Sequence, residues 1–244
     1  MYINDISILY YLFVGIIGLY IGQLVDWFNM RLIDHKRIIS KEFFTIYLKK
    51  IKLKYLYIIT VSVLYLIILY KYHFSITALK FFLLVPMLLS VFVIDYREKI
   101  IPNRLNLTIF ETGLFFTFVE GIFNINIAID MLLGMFAGAG VFLIITLIGG
   151  LIAGKEAMGL GDVKLMGGLG LFFGWRTIII ISLIAFLLGA IIGIALIAIK
   201  RKESGEYIPF GPFIVAGALI AIIVPFNILL IVLLKIFTLG TLKT

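Results

Sequence analysis

Two stretches of this 244-residue chain hold the side chains best suited to chemistry. One is Gly159-Leu160-Gly161-Asp162-Val163-Lys164, a carboxylate set among glycines just ahead of an apolar run. The other is Val93-Ile94-Asp95-Tyr96-Arg97-Glu98-Lys99-Ile100-Ile101-Pro102-Asn103. Asp95 and Asp162 are expected to meet at one edge of a membrane and share a water molecule. Two carboxylates a few ångströms apart cannot both ionise cheaply, since at ~4 Å and an effective dielectric of ~20 they repel by about 4 kcal/mol. One proton then stays between them over a range of pH, and that titration belongs to the pair. The ionised member can draw a proton from water, while the protonated one donates to a carbonyl oxygen and later to the leaving amine. That is amide hydrolysis without a metal or a covalent intermediate. Gly159 and Gly161, lacking side chains, let a substrate backbone come close to Asp162. Taken singly, each acid also has a structural explanation: Asp162 as a helix N-cap, Asp95 as an interfacial partner of Arg97 or Lys99.

The elements that would carry these residues are apolar. The chain is 63% hydrophobic and 14% charged, with a mean hydropathy of +1.21. Soluble domains of this size carry far more charge, so the fold class is an all-α polytopic membrane protein. Eight apolar segments are expected, at about 5–28, 55–71, 77–96, 104–123, 128–152, 163–174, 177–199 and 209–237. The sixth is too short to cross about 30 Å of hydrocarbon in the ordinary way. The first has only Asp5 as a charged residue ahead of it and no small-residue cleavage site after it, so it reads as a permanent span rather than a signal peptide. The expected organisation is a first transmembrane helix at 1–28, a basic cytoplasmic loop at 29–54 and a transmembrane domain at 55–244. No internal repeat or low-complexity tail is visible.

Charge distribution sets the orientation. With the amino terminus outside, the connections near 29–54, 97–104, 153–164 and 200–208 are cytoplasmic. They hold sixteen of the 21 basic residues, leaving Lys71, Lys80, Arg176, Lys235 and Lys243 elsewhere. That asymmetry follows the positive-inside bias, so the net charge of +8 is a topology signal with attraction to anionic lipid, and no nucleic acid is expected. Asp95 ends the third segment and Asp162 begins the sixth. Two full spans separate them, so the chain returns to the same face and both acids lie at the cytoplasmic edge. The 29–54 loop, with Phe43, Phe44 and Tyr47, reads either as an amphipathic helix on the inner leaflet or as a solvated linker. The chain has no cysteine, which excludes disulfides and thiolate zinc sites.

Gly159-Leu160-Gly161-Asp162 followed by Val163-Lys164-Leu165 resembles the signature of the GxGD intramembrane aspartyl proteases, specifically the type IV prepilin peptidases. Asp95 followed by Ile101-Pro102-Asn103 is similar to the first catalytic segment of that family. Ile208-Pro209-Phe210-Gly211-Pro212 resembles its late Ile-Pro-Phe-Gly-Pro motif. Gly22 through Asp26 to Arg31-Leu32 resembles the end of its first span, with Asp26 where the family usually has Asn. The four matches run from residue 22 to about 217. The resemblance implies Asp95 and Asp162 as catalytic residues. Gly159, Gly161, Lys164, Pro102, Asn103, Pro209, Phe210, Gly211 and Pro212 would bind substrate or shape the site. It implies removal of the short basic leader from prepilins and pseudopilins at the cytoplasmic face of a bacterial inner membrane. Many bacterial members also methylate the new amino terminus with S-adenosylmethionine and carry two cysteine pairs in a cytoplasmic domain after the first span. The loop at 29–54 would be a reduced, cysteine-less counterpart of that region. This counts against methylation: proteolysis needs no cofactor, and S-adenosylmethionine is expected only if the second activity is retained.

Other polar residues rank lower. Gln23 and Asp26 read as helix–helix hydrogen-bonding groups, and Glu111 as a structural partner of a basic residue such as Lys164. His35 and His73 are too isolated for a metal site. Trp27 and Trp175 read as interfacial belt residues, and Gly134, Gly138 and Gly140 as close-packing positions. The rival readings are a transporter or proton channel, and another GxGD protease resembling the preflagellin peptidases. Against the first, no repeat relates two halves and both acids lie at one edge. Ile208 to Pro212 favours the prepilin branch over the second.

Overall fold

A chain in hydrocarbon must satisfy its backbone N–H and C=O groups internally, and long apolar runs do so as helices. The computed structural model describes residues 2–4, 6–34, 36–38, 40–47, 53–153, 158–199 and 208–238. A small antiparallel pair, β1 (Tyr2–Ile3) and β2 (Ile6–Ser7), precedes the helices α1 (Ile8–Ile33), α2 (Tyr55–Tyr72), α3 (Ile76–Glu98), α4 (Asn103–Phe123), α5 (Ile125–Ala153), α6 (Leu160–Ala198), α7 (Gly211–Ile223) and α8 (Phe226–Phe237). Among the described residues, α1 to α6 are the six helices long and apolar enough to cross a membrane, and α7 and α8 are shorter. The protein is an all-α polytopic membrane protein.

The chain divides into two compact units, Met1–Ile109 and Phe110–Thr244, with the division falling inside α4. In the first unit, α1 and α2 run antiparallel. A β-carbon on Gly18 would lie 2.6 Å from the Ser62 Cα, and one on Gly22 would lie 2.6 Å from the Ile58 Cα. Ser62 donates to the Gly15 carbonyl at 3.0 Å. α2 is tied to α3 by the Tyr65 hydroxyl, which donates to the Phe82 carbonyl at 2.6 Å. The start of α3 is capped by the Ser75 hydroxyl, which accepts from the Ala78 N–H.

The segment after α1 folds back on that helix. Trp27 is buried, packs against Phe43 and Tyr47 with ring centroids 5.4 and 5.2 Å away, and donates its indole N–H to the Ile38 carbonyl. Its burial corrects the interfacial belt expected for it. Arg31, also buried, pairs with Glu42 and donates to the Arg37 carbonyl and the Ser40 hydroxyl. Gln23 donates to the Tyr47 hydroxyl at 2.7 Å and accepts from the Lys54 N–H, while Lys54 pairs with Asp26 at 3.6 Å. Gln23 and Asp26 thus hold this strap to α1. The described part of the loop contains one π-helical turn, Phe43–Tyr47, rather than an amphipathic helix. His35 lies outside the described residues.

In the second unit, α5 and the first arm of α6 pack antiparallel along a glycine seam. The backbone of Gly134 lies against Gly170 and Gly174, and that of Gly138 against the Met166 carbonyl. Gly140, expected in the same role, has nothing within 4 Å of its β-position.

The 39-residue span of α6 is not one straight rod. Gly174 has φ 74° and ψ 170°, a conformation open to glycine alone. Gly138 stands beside both Met166 and Ile178. In a continuous helix those two would be about 18 Å apart along the axis, so the chain doubles back at Gly174. The short apolar segment at 163–174 and the full one at 177–199 are the two arms of this hairpin. The first arm, 160–173, extends only about 21 Å.

The eighth apolar segment, expected as one piece, is instead split. Val224 is extended (φ −96°, ψ 133°) because the Pro225 ring disfavours helix in the residue before it. α7 therefore ends at Ile223 and α8 starts afresh at Phe226.

Candidate active site

Asp95 lies in the last turn of α3 and is only 2% exposed. Its carbonyl accepts the N–H of Lys99, which closes the helix in the left-handed conformation (φ 56°, ψ 31°). A non-glycine residue there carries strain on the order of 1 kcal/mol, so the turn after Asp95 is held by its surroundings. Pro102 is buried and its carbonyl accepts from the N–H groups of Leu105 and Asn106, which starts α4. Asn103, the first residue of α4, is exposed. Arg104 donates to the Lys36 carbonyl at 3.2 Å, tying the α3–α4 turn to the strap after α1. Asp95, Pro102 and Asn103 all belong to the first unit.

Asp162 belongs to the second unit and is 4% exposed, in the first turn of α6. The helix starts at Leu160, earlier than the apolar run suggests, and Gly159 rather than Asp162 is its N-cap residue. Asp162 folds back over that cap: its Oδ2 would lie 3.7 Å from a β-carbon on Gly159. The N–H groups and the dipole of a helix start favour negative charge at this position. Gly161 is half-buried and Lys164 exposed.

The register of the glycine seam brings a third group in. Gly134 meets Gly170 and Gly138 meets Met166, so four residues further along α5 Phe142 is level with Asp162. Phe142 stacks on Phe186 at 5.2 Å, and both rings meet Phe210, at 5.9 and 5.2 Å. Phe210 also contacts Phe213 at 5.7 Å. Ile208 and Pro209 are half-buried, while Gly211 and Pro212 are buried at the start of α7, where proline is tolerated. The late proline–glycine motif is thus anchored by an aromatic cluster at the Asp162 end of the second unit.

Glu111 is exposed on α4, whereas Glu120 on the same helix is 8% exposed. Glu120, which sequence reasoning passed over, continues the buried line of Ile109, Phe116 and Thr117. His73 is exposed at the end of α2.

Residues 82–194 match the Type IV leader peptidase family. That stretch is similar to a type IV leader peptidase domain. Asp95 and Asp162 both fall inside the matched stretch, as do Pro102, Asn103, Gly159, Gly161 and Lys164. The chain is 33% identical over 141 residues to the prepilin leader peptidase/N-methyltransferase of Aeromonas hydrophila, an alignment covering 58% of this chain and 48% of that protein. It is 34% identical over 140 residues to the protein of the same name from Escherichia coli strain K12, covering 57% and 60%. With the Pseudomonas putida protein it shares 28% identity over 163 residues, covering 66% and 55%. The chain thus spans about half the length of the curated relatives it matches. No solved structure matches it. Among the described residues, no three His, Asp or Glu side chains cluster closely enough to hold a metal ion.

Proposed function

We propose that this protein is a membrane aspartic endopeptidase that removes the short basic leader from prepilins or pseudopilins, using Asp95 and Asp162 as a pair. The observation that carries this reading is that the stretch matching the leader peptidase family contains two acids, each almost fully buried at the end of an apolar helix. Burying a carboxylate in such surroundings is costly, and intramembrane acids are by default functional. α4 and α5 lie between them in the chain. If each crosses the membrane once, Asp95 and Asp162 share a face, and the basic connections assign it to the cytoplasm with the amino terminus outside. The membrane would be a bacterial inner membrane.

In the proposed reaction, one carboxylate takes a proton from water as the oxygen attacks the scissile carbonyl carbon. The other donates its proton to the carbonyl oxygen, giving a tetrahedral diol. The C–N bond then breaks as the carboxyl that took the water proton passes it to the leaving amine, while the other carboxylate takes back a proton from a diol hydroxyl, so the pair is back at one shared proton. The start of α6 favours negative charge at Asp162 and suits it to the base role. Gly159 and Gly161 leave room for the substrate backbone, and the cluster around Phe210 holds the loop of Pro209 to Pro212 near that end of α6. A substrate whose apolar helix stays in the bilayer while its charged leader stays in water would present its cleavage point at the same edge.

Methylation is not part of the proposal. Arg31, Ser40, Glu42, Trp27 and Tyr47 are engaged in holding the strap to α1, and no residue is assigned to S-adenosylmethionine. The deciding experiment is incubation of the purified protein, in detergent, with a prepilin-like peptide bearing a basic leader and an apolar helix. Cleavage at a single bond between the two is the expected result. An intact peptide together with substrate-dependent flux in liposomes would support a transporter instead.

A further inference from the structure

Arg176 is one of five basic residues outside the basic connections. It follows the hairpin turn at Gly174, at the end of α6's first arm remote from Asp162. Its side chain is exposed and its guanidinium carbon lies 5.3 Å from the Trp175 ring centroid. Among the described residues no Asp or Glu forms an ion pair with it. Asp130, at the same end of α5, has its carboxylate over the Gly174 backbone instead. A cation–π contact stabilises a guanidinium but supplies no counter-charge.

Below Arg176 and Trp175 runs a cleft of about 430 Å³ between the second arm of α6 and α8. Ile179 and Leu183 line one side, and Phe226, Leu230, Leu234 and Phe237 the other. α8 presents only Leu229 and Leu233 as buried residues, so most of its apolar surface is left uncovered. The cleft is too small for another helix and within the range that holds a small apolar ligand.

We propose that this cleft binds one anionic phospholipid, with its phosphate on Arg176 and an acyl chain laid along the trough. The charge complementarity is specific. The planar guanidinium fork takes two phosphate oxygens at once, and tryptophan beside it is a residue type favoured at headgroup level. A free phosphate would satisfy Arg176 but leave the trough uncovered. A zwitterionic lipid would fill the trough while bringing its own cation to compete for the phosphate. The site holds α8 to α6 through lipid rather than through side-chain packing. None of its residues belongs to the proposed catalytic pair.

The test is native mass spectrometry of the full chain released from nanodiscs containing equal parts phosphatidylglycerol and phosphatidylcholine. The wild-type protein is expected to retain one phosphatidylglycerol in preference to phosphatidylcholine. Arg176→Gln should weaken that retention roughly fivefold and erase the preference. Leu230→Trp, which fills the trough and keeps the cation, should lose both lipids. Equal retention of the two lipids by the wild-type chain, which requires no variant to fold, would overturn the proposal. So would undiminished retention by Arg176→Gln, or thermal protection by inorganic phosphate alone equal to that given by phosphatidylglycerol.

Discussion

The backbone of Gly170 lies directly against that of Gly134, so closely that a β-carbon on either would overlap the other's carbonyl oxygen. This contact fixes the position of α6's first arm along α5, and with it the position of Asp162. Backbone cannot rotate out of the way as a side chain can. Gly170→Ala or Gly134→Ala should therefore destabilise the protein by at least the 1–3 kcal/mol typical of overpacking, seen as a lower melting temperature in detergent. Gly140→Ala, at a position open to at least 4 Å, should leave it unchanged. Equal effects at all three positions would show that the seam is not what holds this pair.

Gly174 makes a different demand. Its φ of 74° is strained for any other residue, and the Asp130 carboxylate occupies the place of a side chain. Gly174→Ala should cost about 1–3 kcal/mol for the backbone strain alone. The double variant with Asp130→Ala should recover only the part due to the clash. Comparing melting temperatures of the single and double variants separates the two terms.

The strap after α1 should show its own pH signature. Burial raises the Tyr47 hydroxyl above the ordinary tyrosine value, with the Asp26 charge adding to the effect and a hydrogen bond from Gln23 opposing it. The folded state therefore holds this proton more tightly than the unfolded chain does. The stability it contributes is full below pH ~10 and fades as the pH rises through the raised value. Tyr47→Phe should cost about 1 kcal/mol at neutral pH, because the Gln23 carbonyl loses a donor. Its melting temperature should lack the alkaline fade seen in the wild type as the pH rises past ~10.

Much of the site was legible because a charge is conspicuous in an apolar chain. Asp95 and Asp162 stand out at the ends of greasy runs, and both are buried as a functional pair would need. The break at Gly174 was legible for a similar reason: glycine, tryptophan and arginine interrupt an apolar stretch too long for one crossing. Other features depend on what the chain folds against. Trp27 has the composition of a belt residue, and only the return of Phe43 and Tyr47 makes it a core residue. Glu120 is buried and Glu111 exposed because, nine residues apart, they lie on opposite faces of α4, and the sequence alone does not say which face meets a neighbour. The split before Pro225 was readable in principle, from the rule that a residue ahead of proline leaves the helical region.

The fate of the new amino terminus is a separate matter from cleavage. The chain has no cysteine for a zinc ribbon, and among the described residues of the strap Ser40, Glu42 and Tyr47 are engaged in holding it to α1. Mass spectrometry of a pilin matured by this protein, with S-adenosylmethionine supplied, is expected to show an unmodified amine. A mass increase of one methyl group would mean that the chain also holds S-adenosylmethionine, with the strap as the first place to look for its site.

The proposed pair, Asp95 and Asp162, gives the sharpest test. Asn keeps the size and most of the hydrogen-bonding capacity of Asp but cannot exchange a proton with water near neutral pH. Asp95→Asn and Asp162→Asn should each lower leader cleavage by at least the hundredfold to ten-thousandfold that a general acid or base typically contributes. Each variant should still unfold cooperatively in detergent, which separates a lost reaction from a lost fold. Members of one catalytic unit are non-additive, so the double variant should be no worse than the weaker single. Variant losses that multiply would mean that the acids act in separate steps. Cleavage at the wild-type rate by either single variant would remove that acid from the mechanism.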